Sequence, residues 1–372
     1  MIDASRSSAR SAPYPDLLVA IPDLNGGGAE RVVLNLVNRL VRQGRSVSMV
    51  TFAQGGPLWD RLDAKIGVSN LGTGTLRRSI LPLLAEIRRI RPRVLFSTLG
   101  YVNLAVLALR PFLPRGTRVW IREANLPSIS LTNNRATWLM RFGYRRLYRS
   151  ADLVICSSQR MADELTRDFA VPAAAIRILP NPVDEGEIRR RAEVSAGRRG
   201  KGRLFVGAGR LTRQKGFDRL LRLMAEMPDT DSRFVILGDG PQGEELVCLA
   251  HELGIAHRVG FEGFVSNPWA YFAAADALLL PSRWEGMPNA VLEALAVGTP
   301  VIATPEAGGI AEIAARCPSS AVTVVEFGKE FAGAMEAICP QPVGSLRESL
   351  LPAEFRIEAA VAAFDFWLPG HA

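Results

Sequence analysis

Short apolar, β-branched runs alternate with longer amphipathic stretches along most of this chain. DLLVAI (16–21) predicts a strand, and GAERVVLNLVNRLVRQG (28–44) predicts a helix closed by Gly44. That helix places Val32, Val33, Leu36, Val37 and Leu40 on one face. SVSMVTF (46–52), RVLFST (93–98), RVWI (118–121) and ADLVICS (151–157) predict further strands, with helices between them. Strand–helix alternation of this kind implies a parallel sheet covered on both faces. The pattern breaks at LPNPVDEGEIRRRAEVSAGRRGKG (179–202), whose Pro, Gly and charge mark an interdomain linker. It then restarts with RLFVGAGRL (203–211), SRFVILGDG (232–240), HRVGFEGFV (257–265), ADALLLPS (275–282) and TPVIAT (299–304) as strands leading into loops. Helices are expected at 217–227, 242–253, 289–297 and 309–315. A last amphipathic segment, PAEFRIEAAVAAFDFW (352–367), follows the completed second sheet.

The expected organisation is therefore α/β, with two doubly wound, Rossmann-like domains facing each other across a cleft. A disordered leader covers 1–13, the first domain 14–185, the linker 186–202 and the second domain 203–351. Residues 352–372 are expected to form a helix that crosses back to the first domain. A length of 372 residues, 48% hydrophobic and 22% charged, fits two folded cores. No apolar run reaches eighteen residues, so no transmembrane helix is expected, and the Arg- and Ser-bearing start lacks the apolar stretch of a signal peptide.

Cys156, Cys248, Cys317 and Cys339 form no CxxC pair, which fits a reduced, cytoplasmic compartment. His251, His257 and His371 lack metal-ligand spacing, so no metal site is expected. The net charge of +8 draws on Arg77, Arg78, Arg88, Arg89, Arg91, Arg93, Arg141, Arg145, Arg146 and Arg149 in the first half. These suit either solvated helix faces or a surface that rests on anionic lipid or meets acidic substrates. Nucleic acid is disfavoured, because no basic motif is interleaved with aromatics.

Chemistry is expected where strands exit into loops. LNGGGAER (24–31) sets Gly26, Gly27 and Gly28 before a helix, where backbone N–H groups approach an anion closely; neither a GxGxxG fingerprint nor a Walker lysine is present. GAGRLTRQKGFDRLL (207–221) carries Arg210 and Lys215 five residues apart, two cations suited to a diphosphate. LGDGP (237–241) and GFEGFV (260–265) are exit loops whose main chain could read a nucleobase. PSRWEGMPNAVLEALAVGTPVIAT (281–304) holds Glu285 in a loop and Glu293 in a helix, eight residues apart. Helical periodicity sets Val291, Leu292 and Leu295 as the buried stripe, with Glu293 opposite, facing solvent or the cleft beside Asn289. Carboxylates suit a sugar's vicinal hydroxyls, and a helix start suits a diphosphate.

This ordered set closely resembles the GT-B glycosyltransferases of family 4, the group 1 transferases, from about residue 16 to 367. The most specific part is E-x7-E, present as EGMPNAVLE with ALAVGTPVIAT after it; GRLTRQKGFDRLL, GGGAERV and NPVD support it. The resemblance implies that Arg210 and Lys215 hold the donor diphosphate and stabilise the leaving group. It implies that Glu285 contacts donor-sugar hydroxyls and that Glu293 binds the ribose. Gly286, Met287 and Asn289 fall where the family's loop meets phosphates and sugar, Gly27 and Gly28 near the diphosphate, and Glu262 to Val265 at the base. Many relatives carry a histidine where Arg122-Glu123-Ala124-Asn125 places Ala124, so Arg122, Glu123 and Asn125 become the acceptor-side candidates.

The resemblance further implies a retaining transferase without cofactor or metal, using a nucleotide-sugar donor and a lipid-linked or polysaccharide acceptor. A UDP-sugar is favoured over GDP-mannose, the product belongs to cell-envelope glycans, and an anionic membrane surface is a candidate partner. A nucleotide-sugar 2-epimerase on the same architecture is one alternative, although the chain is poor in the histidines such enzymes use. A non-catalytic GT-B-like scaffold is the other, opposed by intact Arg210, Lys215, Glu285 and Glu293.

Overall fold

The computed structural model describes residues 14–25, 27–132, 137–192, 202–228, 231–340 and 346–370. The predicted leader and Gly26 lie outside the described residues, as does 193–201 of the predicted linker. The chain divides into two units: residues to Pro182 together with Ile357–Ala372, and Val183–Arg356.

In the first unit seven parallel strands form one sheet: β1 Leu17–Ile21, β2 Val47–Thr51, β3 Gly67–Asn70, β4 Val94–Thr98, β5 Arg118–Arg122, β6 Leu153–Cys156 and β7 Ile176–Ile178. Their order is β3-β2-β1-β4-β5-β6-β7, so the chain reverses direction across the sheet between β1 and β4. Register is in step at the centre, with Leu17 opposite Val47 on one side and Val94 on the other. β1 and β4 are buried at every residue, as central strands covered on both faces must be. The edge strands β3 and β7 are largely exposed, which is why no apolar run announces them in the sequence. Helix Gly28–Arg42 covers one face with the predicted Val32, Val33, Leu36, Val37 and Leu40, all buried.

The C-terminal helix Ile357–Trp367 packs into this same core through Ile357, Val361 and Phe364. The Phe364 ring meets Phe96 and Trp120 edge-on, with centroids 5.4 and 5.3 Å away. Arg45 pairs with Asp365, and Arg39 with Glu358, fixing the outer side of the helix.

The second unit holds six parallel strands: β8 Leu204–Ala208, β9 Arg233–Leu237, β10 Val259–Phe261, β11 Ala277–Leu280, β12 Val301–Ala303 and β13 Val322–Val324. Their order is β10-β9-β8-β11-β12-β13. Two stretches at its boundaries depart from the sequence expectation. Residues Glu185–Ala192, of which Glu185 was placed above in the first domain and the rest in the linker, form a helix whose Ile188 and Ala192 enter the second unit's core. Residues 352–356, assigned to the returning segment, belong to the second unit: Val183 N donates to Phe355 O, and Arg356 pairs with Glu185. The charge run hid a helix held by only two apolar anchors.

Candidate active site

In the second unit, β8 ends at Ala208 and the chain turns through Gly209 to Arg210 and a short 3₁₀ turn, Arg213–Lys215. Gly209 sits at φ +148°, and a Cβ there would stand 2.5 Å from Lys215 Cε, so the absent side chain is what lets the lysine lie across this turn. Lys215 Nζ donates to Glu285 Oε1 at 2.6 Å, with side-chain exposures of 16% and 8%. Glu285 Oε1 also accepts from Ser282 Oγ at 2.9 Å, and Oε2 accepts from Gln214 Nε2 at 3.2 Å. The carboxylate is therefore held by three donors, one of them charged.

The loop carrying Glu285 is itself clamped. Arg219 donates to Pro281 O at 2.9 Å and Ser282 O at 3.0 Å, and Thr304 Oγ1 donates to Ser282 O at 2.8 Å. Arg283 forks across both oxygens of Asp218 at 2.7 Å. Gly308, at φ +43°, lies so close beneath the loop that a Cβ would meet Glu285 O at 2.1 Å. Gly286 O accepts from Gly309 N, and Met287 is buried in the core. Asn289 begins helix Asn289–Ala296, with Pro288 at its N-cap.

Glu293 is not turned toward solvent. It is only 9% exposed and accepts from Trp269 Nε1 at 3.0 Å. Helix Trp269–Ala274 covers the face that a single helix's periodicity left open, and every residue of 291–296 is buried. Arg210 is exposed, in the loop between Gly209 and the short turn that carries Lys215. Glu262 accepts from Tyr271 Oη at 3.3 Å, and Val265 packs partly against the core.

The first unit holds a second polar cluster at the end of β5. Glu123 is 2% exposed, and its Oε1 accepts from Asn103 Nδ2 and Tyr144 Oη at 3.1 Å each, and from Tyr148 Oη. The Tyr144 and Tyr148 rings stack with centroids 4.1 Å apart. Ser97 Oγ donates to Asn103 Oδ1 at 2.8 Å, fixing that amide. Burial pushes the Glu123 carboxyl up to about 7, against the pull of its three donors and of Arg122. Burial also lowers Arg122 to about 10, and raises Tyr144 and Tyr148 with help from the Glu123 charge. Arg122 Nη2 donates to Asn181 Oδ1, of the NPVD motif.

Of the acceptor-side candidates, Arg122 and Glu123 are buried and address protein groups, and Asn125 is exposed. At the first strand's exit, Gly27 caps helix Gly28–Arg42, and the Glu30 carboxylate stands 2.1 Å from where a Gly27 Cβ would be. Sequence reading missed Gln214, Ser282, Trp269, Asn103, Tyr144 and Tyr148. Gln214 and Ser282 lie beside residues already singled out, but Trp269 reaches Glu293, and Asn103, Tyr144 and Tyr148 reach Glu123, only through tertiary packing. Among the described residues no group of three or more His, Cys, Asp or Glu could hold a metal ion.

Two parallel-sheet Rossmann-like units in tandem are the architecture of the GT-B fold. The fold agrees: the chain superposes on Anabaena HepE in complex with UDP and glucose at a TM-score of 0.74, with 17% identity, covering 95% of this chain and 99% of that one. Family models for "Glycosyltransferase Family 4" and "Glycosyl transferases group 1" match residues 26–187 and 189–339. The chain belongs to the GT-B glycosyltransferases of family 4, and is thus a transferase.

Among its relatives is a Campylobacter jejuni N-acetylgalactosamine-N,N'-diacetylbacillosaminyl-diphospho-undecaprenol 4-alpha-N-acetylgalactosaminyltransferase, 31% identical over 59% of each chain. Another is the lipopolysaccharide core biosynthesis glycosyltransferase LpsE of Rhizobium meliloti, 28% identical over 76% of this chain and 77% of that one. The match to the first thus spans less than two thirds of that relative's length.

Proposed function

We propose that this chain moves a hexose or N-acetylhexosamine from a nucleoside diphosphate sugar to a lipid-linked or polysaccharide acceptor in cell-envelope glycan synthesis. The observation that carries the reading is the Lys215–Glu285 pair, set in a loop clamped by Arg219, Thr304 and Gly308. A lysine already neutralised by a carboxylate is poised to exchange that partner for a diphosphate. The exchange frees Glu285 to accept hydrogen bonds from donor-sugar hydroxyls, while Gln214 and Ser282 keep it oriented. Arg210, exposed on the same turn, supplies the second cation. Glu293, oriented by Trp269, takes the ribose, and Glu262 to Val265 take the base. Gly286, Met287 and Asn289 line the phosphates at the helix start.

Transfer proceeds with retention. The anomeric carbon–oxygen bond to the diphosphate breaks as the acceptor oxygen bonds to the same face, and the departing phosphate oxygen takes the acceptor's proton. Arg210 and Lys215 stabilise the charge that develops on the diphosphate, the task a metal ion performs elsewhere, so no metal cofactor is required. The relatives named for an undecaprenol-diphosphate substrate and for lipopolysaccharide core synthesis support an envelope acceptor. UDP is favoured over GDP by the likeness to a UDP- and glucose-bound structure.

A thermal-shift panel of UDP, GDP and their sugars tests the donor, because a ligand of the folded state raises its melting temperature. Stabilisation by UDP-sugars, followed by transfer that survives EDTA, is expected. No shift with any nucleotide sugar, or activity abolished by EDTA and restored by magnesium, would reject the reading. Among the described residues no helix is long and apolar enough to cross a membrane. Access to a lipid-linked acceptor would then come from a surface that rests on anionic lipid.

A further inference from the structure

Helix Glu185–Ala192 carries three consecutive arginines, and they divide by face. Arg190 is exposed, whereas Arg189 donates to Ala296 O at 2.9 Å and to Arg347 O at 3.0 Å, tying the helix to the second unit. Arg191 turns elsewhere. Its guanidinium carbon stands 4.7 Å from the centre of the Trp269 ring, close enough for a cation–π contact. Its Nη2 donates to Ser266 O at 3.3 Å, and its carbonyl accepts from Asn267 Nδ2 at 3.0 Å. Glu187, one turn earlier on the same helix, pairs with its Nη1 at 3.4 Å and helps to hold the guanidinium in place. Residues 266–268 join the loop Glu262–Val265, expected at the base, to helix Trp269–Ala274. One side chain therefore grips both the end of that loop and the ring that donates to Glu293. A cation over the indole face draws electron density from the ring and sharpens its N–H as a donor to the Glu293 carboxylate.

We infer that Arg191 is a positioning residue for the nucleoside half of the donor, acting on Glu293 through Trp269 and on the base loop through Ser266. The inference rests on the proposed donor site and adds to it a residue that works through others. Its contacts fall on residues 266–269, whereas Arg210, Lys215 and Glu285, at the diphosphate and sugar end, stand on other loops. Loss of Arg191 should therefore weaken ground-state and transition-state binding alike and leave the chemical step as it was.

Calorimetry with UDP and with GDP, and steady-state kinetics with the matching nucleotide sugar, test the inference on the full chain. The proteins compared are the parent, R191M, R191K, W269F and R191M/W269F. R191M keeps an aliphatic stem and should bind the nucleotide about fivefold more weakly, the scale of a partly exposed cation–π contact. Its KM for the donor should rise by a similar factor, while kcat at saturating donor stays at the parental value and shows that the variant is folded. R191K returns a cation to the ring and should recover part of the loss. Because Arg191 acts partly through Trp269, R191M/W269F should lose less than the product of the two single losses. Parental affinity in R191M, a fall in its kcat as large as the rise in KM, R191K binding no better than R191M, or fully multiplicative losses in the double variant would each overturn the assignment. Failure of the donor site looks different: a parent that binds neither UDP nor GDP rejects that site and the inference with it, whereas a parent that binds beside an R191M of equal affinity rejects Arg191 alone.

Discussion

Replacing Glu123 with Gln should make the protein more stable than its parent at neutral pH, and the gain should vanish in mild acid. The Glu123 carboxyl is fully enclosed, and burial raises it from its ordinary 4.5 to about 7. The unfolded chain therefore releases this proton first. Between pH 4.5 and 7 the unfolded state binds fewer protons than the folded one, so stability falls as pH rises through that window. Below it Glu123 contributes no penalty; above it the penalty is constant. The displacement corresponds to about 3 kcal/mol at 1.36 kcal/mol per decade of proton affinity. The groups facing Glu123 do not titrate in this interval: Arg122 stays near 10, and Tyr144, Tyr148 and Cys156 are all raised. Urea unfolding of parent and E123Q at steps from pH 5 to 8 gives the difference directly. The advantage of E123Q should grow by about 2–3 kcal/mol across the series. A difference independent of pH, or one that shrinks as pH rises, would refute the assignment of a buried, high-pKa carboxyl.

Three further outcomes follow from the same geometry. G308A forces a side chain into left-handed backbone against Glu285 O; it should destabilise the second unit by about 2 kcal/mol or more and lower kcat without touching substrate. Parental kcat in G308A would show that the Glu285 loop tolerates displacement. W269F removes the indole donor to Glu293, a charged hydrogen bond of about 1.5–3 kcal/mol, and calorimetry should show donor binding weakened about tenfold or more; equal affinity would remove Glu293 from the donor site. F364A leaves a void against Phe96 and Trp120 and should cost about 3–5 kcal/mol of first-unit stability, read by hydrogen exchange in β4 and β5; unchanged protection would mean that the returning helix is dispensable.

The central strands were legible because burial on both faces writes a continuous apolar run, as in LLVAI and ALLL. The edge strands Gly67–Asn70, Ile176–Ile178 and Val322–Val324 were not, since edges are half-exposed and short. Helix Glu185–Ala192 was hidden by its charges, having only Ile188 and Ala192 inside. At the site, Arg210, Lys215, Glu285 and Glu293 could be singled out from loop position and spacing. Their environments could not. The periodicity of one helix says which face its own residues share, but not that Trp269 from another helix closes over Glu293. Likewise RE at 122–123 could be singled out as acceptor-side candidates, but only the convergence of Asn103, Tyr144, Tyr148 and Asn181 makes it a buried network.

The central claim is that Lys215 exchanges Glu285 for a donor diphosphate. UDP affinity and transfer rate, measured side by side in the parent, K215A and K215R, test it most directly. K215A should lose at least about 100-fold in kcat and bind UDP more weakly, because a positioned charge at the leaving group is gone. K215R, whose planar fork cannot reproduce the compact ammonium beneath Gly209, should recover little of the rate. Parental UDP binding and turnover in K215A would contradict the account.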